Sequence, residues 1–157
     1  KTTDATLVIA GSGTSKTLDK IKHLIDKLEI KQNVKLFGKY SVKDRDILLR
    51  KSAIAVIPSR FETFCLVALE TMSHGVPFIC FNIPGFSWIP NGVCIKVAPF
   101  NTGVLASEIC NLLADSDKVA LLGKTGQKFA QKFSWEKIAG EYRSYISKIL
   151  IKHGRIA

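Results

Sequence analysis

Short apolar runs alternating with stretches of helical periodicity constrain this chain more than any other feature. The first run, Ala5 to Ala10, is rich in β-formers and ends at GSGTS. Residues 17–28 then place Leu18, Ile21, Leu24, Ile25 and Leu28 on one helical stripe. Val34 to Phe37 is a second short strand closed by Gly38, and Ser41 opens a helix as its N-cap with Asp44 in the first turn. Ala53 to Ile57 is continuously apolar and stops at Pro58, the pattern of a strand buried on both faces. A helix over residues 61–75 follows, ended by Gly75 and Pro77.

The segments PFICF (77–81) and VCIKV (93–97) read as two more strands, separated by a Pro- and Gly-bearing loop. Three helices are expected after them, capped by Asn101, Ser116 and Ser134 and ending near Ala114, Lys132 and Ile151. This alternation predicts an α/β fold, a Rossmann-like, doubly wound parallel sheet with helices on both faces. In such sheets ligands sit at the carboxyl ends of the strands, so the residues to weigh follow Ala10, Phe37, Ile57 and Phe81.

At 157 residues there is room for one ordinary domain. No apolar run approaches the length of a spanning helix and the start lacks a signal-peptide layout, so the expected location is the cytoplasm. Cysteines 65, 80, 94 and 110 form no C-x-x-C pair; buried thiols are expected rather than a zinc site or a disulfide scaffold. The net charge is +10, and 12 of the 23 basic residues fall in the first 51 positions. No aromatic-interleaved arginine segment accompanies them, which argues against nucleic acid. Attraction to phosphate-bearing substrates or peripheral contact with an anionic membrane is the functional option, and a solvated face the bland one.

GSGTSKT after the first strand matches neither G-x-G-x-x-G nor a Walker loop, and two glycines there also serve a tight turn. PSRFETFCLVALE says more. On one continuous helix Glu62 and Glu70 would stand about 12 Å apart along the axis and be rotated by roughly 80°. That is too far to share a proton or clasp one small metal ion, but suits the two ends of an elongated polyhydroxyl ligand. The N–H groups near residues 63–66 would attract an anion between them. Alternatively, Glu62 is a first-turn acid favoured by the helix dipole and Glu70 lies on a solvated edge.

LVIAGSG, VKLFGKYS, VIPSRFETFCLVALETMSHGVPFI and KFSWEKIAGEY occur in that order. On these stretches the chain resembles the C-terminal, donor-binding domain of retaining GT-B glycosyltransferases, the class of glycogen and sucrose synthases and bacterial polysaccharide enzymes. The resemblance implies a hexosyl-type transferase that moves a sugar from a nucleotide sugar, UDP-linked by expectation, to a saccharide or lipid-linked acceptor with retention. It implies donor-sugar contacts from Glu62, Phe64, Cys65 and Leu66, and nucleotide contacts from Glu70, Gly11, Gly13, Gly38, Lys39 and Tyr40. It implies no cofactor, no metal and no agreed nucleophile, so no catalytic residue is assigned. Residues 1–133 would form the nucleotide-sugar-binding domain, and residues 134–157 a C-terminal helix that packs on an N-terminal domain or on its own sheet.

Cys65 stands where the family usually has glycine, and NIPGFSWIP replaces a more glycine-rich loop. The arginine and lysine that the family places before LVIAGSG have no match here; Lys16 and Arg60 are available cations without a matching motif. The chain is therefore expected to be part of an enzyme, inactive alone and missing the first strand of its sheet. Two other readings are a nucleotide-sugar epimerase of the same fold and a non-catalytic α/β interaction module. His74 reads as a partner of a helix C-terminus, and Trp88 as aromatic packing under a loop.

Overall fold

The computed structural model describes residues 4–155. Residues 1–3 and 156–157, the outer ends of the two segments expected above, lie outside the described residues. Five strands are seen there: β1 (Leu7–Ala10), β2 (Val34–Gly38), β3 (Ala55–Ile57), β4 (Phe78–Phe81) and β5 (Ile95–Val97). The helices are α1 (Ser15–Lys27), α2 (Val42–Lys51), α3 (Leu66–Ser73), α4 (Thr102–Leu113), α5 (Ser116–Ala130) and α6 (Trp135–Lys152).

Local chemistry sets most of these limits. Ser41 and Asp44 form a reciprocal capping box at the head of α2, with N···O distances of 3.2 and 3.0 Å. Asn101 caps α4 by accepting from the Val104 N–H at 3.0 Å, and Ser134 caps α6 by accepting from that of Lys137 at 3.1 Å. The cap of α5 is Asp115 rather than Ser116: its carboxylate accepts from the Lys118 N–H at 2.9 Å. That helix ends at Ala130, two residues short of the expected limit.

All strand pairing is parallel, but the strands form two sheets, β1–β2 and β3–β4–β5, instead of one. The core belongs to the second. Every residue of β4 is buried, packed with Ala68 and Met72 of α3, Phe86 and Ile89 of the following loop, and Leu112 and Leu122 of α4 and α5. Two glycines allow α5 to approach α3 closely. A Cβ on Gly123 would lie 2.3 Å from the Gly75 carbonyl oxygen, and one on Gly126 would lie 3.2 Å from Met72 Cγ.

The first sheet is thinly covered, with Leu7, Val8, Leu36 and Phe37 exposed and only Ile25 of α1 buried. Helix α6 buries no residue, and Trp135, Tyr142, Tyr145, Ile146 and Ile149 are all exposed. Its apolar stripe therefore does not pack on the sheet of this chain. Immediately before it Phe133 is anchored, stacking edge-on against Trp88 and Phe129.

Candidate functional site

The third strand ends at Ile57, and the chain does not become helical until Leu66. Glu62 thus precedes α3 instead of sharing a helix with Glu70, and the 12 Å axial spacing expected for one continuous helix does not apply. The break lies at Cys65, whose left-handed backbone (φ 61°, ψ 77°) cannot sit inside a right-handed helix. It serves as the N-cap, and its side chain accepts no capping hydrogen bond.

Glu62 is held from two sides. Ser59 Oγ donates to its Oε1 at 2.7 Å, and the backbone of Glu62 lies directly on Gly85, where a Cβ would meet the Glu62 carbonyl oxygen at 2.3 Å. The loop NIPGFSWIP therefore seats Glu62. Around that seat is a mostly apolar cavity of about 310 Å³, lined by Arg60, Phe61, Glu62, Asn82, Ile83, Pro84, Gly85, Pro99 and Phe100. These residues follow the carboxyl ends of β3, β4 and β5, the position at which parallel sheets bind ligands. The guanidinium of Arg60 lies 4.8 Å from the centroid of the Phe100 ring.

Beyond Glu62 the chain enters the head of α3. Trp88 Nε1 donates to the Phe64 carbonyl at 2.9 Å, and the two rings stack at 4.3 Å, so Trp88 packs under this loop as expected. The N–H groups of Cys65 and Leu66, at the N-cap and first position of α3, stand where a helix supplies no acceptor of its own, and Phe64 immediately precedes them. Burial pushes the Cys65 thiol above the ordinary range, and the nearby Glu62 carboxylate adds to this. It is a packed thiol rather than an activated one. Cys80 and Cys94 are also buried and share a hydrogen bond, which raises Cys80, while Cys110 is half-buried.

Glu70 lies in the second turn of α3 and pairs with Arg45 of α2. The same guanidinium reaches Asp46 Oδ1 from Nε at 3.1 Å and Nη2 at 2.9 Å. His74, the C-cap of α3, donates from Nδ1 to the Glu70 carbonyl at 2.8 Å and places Nε2 3.3 Å from Asp46 Oδ1. The expected helix-end role of His74 is present, together with a second contact that α2 supplies.

Gly11, just after β1, donates its N–H to the carbonyl of Gly38, the last residue of β2, at 2.8 Å. Gly38 needs its glycine for a φ of 77°, whereas at Gly13 a Cβ would make only ordinary contacts with Thr17. Lys39 and Tyr40 follow Gly38 and are exposed. The cavity thus holds Glu62 among the expected residues, Glu70 belongs to the ion-pair cluster, and the glycines mark a third point along the strand ends. Sequence reasoning missed Ser59, Gly85, Arg45 and Asp46; only Ser59, three residues before Glu62, carried a local signal.

No group of three or more His, Cys, Asp or Glu side chains among the described residues could hold a metal ion. No helix among them is long and apolar enough to cross a membrane.

The parallel α/β architecture is that of GT-B glycosyltransferases. It superposes on sucrose-phosphate synthase from Thermosynechococcus elongatus with a TM-score of 0.85 at 26% identity, over 93% of this chain and 39% of that one. It superposes on Anabaena HepE, solved in complex with UDP-glucose, with a TM-score of 0.83 at 21% identity, over 91% of this chain and 41% of that one. An uncharacterized glycosyltransferase of Methanocaldococcus jannaschii is 31% identical over 129 residues, 80% of this chain and 36% of that protein. Residues 1–129 match the family described as Glycosyl transferases group 1, and the chain belongs to that family. It spans about a third of the length of the curated relatives it matches.

Proposed function

We propose that this chain is the donor-binding part of a retaining glycosyltransferase that moves a hexosyl group from a nucleotide sugar to a saccharide or lipid-linked acceptor. Glu62 accepts hydrogen bonds from the sugar hydroxyls, and the N–H groups of Phe64, Cys65 and Leu66 face the sugar and its phosphates. Glu70 accepts from the ribose hydroxyls. Gly38, Lys39 and Tyr40 flank the base, while Gly11 and Gly13 line the cleft. The observation that carries this reading is the seating of Glu62 by Ser59 and Gly85 at a cavity beyond the ends of β3, β4 and β5. Directly after it comes a helix head that favours an anion.

Both glutamates are clamps on this reading, not acid and base. The acceptor attacks on the face that the diphosphate leaves, and the protein contributes positioning and stabilisation of the leaving phosphates. The nucleotide-binding unit is residues 1–133. Residues 134–157 are the C-terminal segment, and the exposed apolar stripe of α6 within it packs on a separate acceptor-binding domain. The split into β2–β1 and β3–β4–β5 supports a larger enzyme, because a doubly wound order of 3-2-1-4-5-6 would place one further strand between β1 and β3. The enzyme works in the cytoplasm, and its basic charge suits peripheral contact with an anionic membrane.

The UDP-glucose bound by HepE makes UDP the first nucleotide to try. The test is a thermal-shift titration of the full-length protein with UDP, GDP, ADP and CMP, repeated on Glu70→Gln. A nucleotide at about 100 times its dissociation constant adds roughly 2.7 kcal/mol of stability. One nucleotide should stabilise the wild type and lose that effect in the variant. No stabilisation by any of the four would remove the reading.

A further inference from the structure

We infer that Arg45 is a positioning residue for nucleotide recognition, which presets the Glu70 carboxylate for a ribose diol through a ring of contacts joining α2 to α3. The role presupposes the ribose contact proposed for Glu70. Arg45 stands in the first turn of α2, a few residues after Gly38, Lys39 and Tyr40, and so connects the base-flanking loop to α3. Its Nη1 engages Glu70 Oε1, while Nε and Nη2 both bond Asp46 Oδ1. A planar guanidinium tied along one edge cannot swing freely. His74 Nδ1 donates to the Glu70 carbonyl, and His74 Nε2, 3.3 Å from the same Asp46 oxygen, restrains it in turn when the imidazole is protonated. With the imidazole protonated the contacts close on themselves, running from the Glu70 side chain through Arg45, Asp46 and His74 back to the Glu70 main chain.

Such a ring has two consequences for a ligand. An exposed glutamate on a helix samples several rotamers and gives up that freedom when it binds; fixing it beforehand lowers this cost. Arg45 occupies Oε1 and leaves Oε2, with the remaining lone pair of Oε1, for two vicinal hydroxyls. The cation also offsets the repulsion between Glu70 and a diphosphate approaching the head of the same helix. Loss of Arg45 should therefore weaken UDP both by freeing the Glu70 carboxylate and by leaving its charge to repel the diphosphate, and only the first effect distinguishes UDP from 2′-deoxy-UDP.

The experiment is isothermal titration calorimetry of the full-length protein with UDP and 2′-deoxy-UDP, comparing wild type, Arg45→Met, Arg45→Lys and Asp46→Asn. Wild type should prefer UDP by about tenfold or more, the range of a charge-assisted hydrogen bond. Arg45→Met should lose most of that preference, chiefly through weaker UDP binding. Arg45→Lys should retain an intermediate preference, and Asp46→Asn should fall in the same direction although Arg45 and Glu70 are both still present. A wild-type preference in Arg45→Met, or tighter UDP binding by it, would overturn the role. If wild type itself does not distinguish the two nucleotides, the ribose contact of Glu70 fails and Arg45's role falls with it.

Discussion

Gly123 and Gly140 both lie inside helices, so replacing either with alanine makes the same chemical change in two different surroundings. Helix propensity alone favours alanine by about 0.5–1 kcal/mol at both positions. At Gly140 nothing lies within 4 Å of the added Cβ, and that gain should appear in full. At Gly123 the Cβ would meet the Gly75 carbonyl oxygen at 2.3 Å and its carbon at 3.3 Å, both backbone atoms that cannot rotate away. Overpacking of this kind costs typically 1–3 kcal/mol, which outweighs the propensity. Gly123→Ala should therefore lose about 1–2 kcal/mol net of propensity, while Gly140→Ala gains. Urea unfolding followed by far-UV circular dichroism measures both, with similar slopes in all three proteins. Because Gly75 closes the end of α3, the same clash should disturb His74 and Glu70 and weaken nucleotide binding. A Gly123→Ala protein as stable as wild type would refute the close α3–α5 contact.

Gly85→Ala places a Cβ 2.3 Å from the Glu62 carbonyl oxygen, so it should displace Glu62 and weaken donor binding by about tenfold or more, for loss of a charged hydrogen bond; calorimetric titration with UDP-glucose checks this. The hydrogen bonds and charge of Arg45 hold the Asp46 carboxyl below its usual value of 3.8. A lowered carboxyl contributes stability that is complete above that value and is lost as pH falls through the folded one. Thermal melts of wild type should drop towards those of Asp46→Asn as pH is taken from 6 to 3, the difference between the two being present above 3.8 and lost below it.

The alternation of strands and helices was legible because each apolar run is short and bounded by Gly, Pro or a capping residue. Ser41, Asn101 and Ser134 cap helices as their sequence positions imply, since a cap acts over three residues and needs no tertiary information. The stretch FETFCLVALE hid the most important break. No Gly or Pro interrupts it, and a left-handed backbone at a cysteine leaves no mark in propensity or periodicity. Only the glycine usual at that place in similar enzymes pointed to it.

Glu62 and Glu70 were visible as unusual carboxylates, but their partners were not. Arg45 lies 25 residues from Glu70, and the pair depends on where the fold sets α2 relative to α3. Gly85 looked like ordinary loop punctuation and proved to be a close approach to the Glu62 backbone. The apolar stripe of α6 could be read directly, whereas its exposure reflects what surrounds it rather than its own pattern.

On this reading the two glutamates grip opposite ends of one donor. Calorimetric titration of the full-length protein with UDP and with UDP-glucose, on wild type, Glu62→Gln and Glu70→Gln, tests this most directly. UDP lacks the sugar, so Glu62→Gln should bind it as wild type does and lose only the affinity added by glucose. Glu70→Gln should weaken both ligands by roughly 1.5–3 kcal/mol. If Glu62→Gln weakens UDP and UDP-glucose alike, or if Glu70→Gln binds both as wild type does, the two carboxylates do not divide the donor between them.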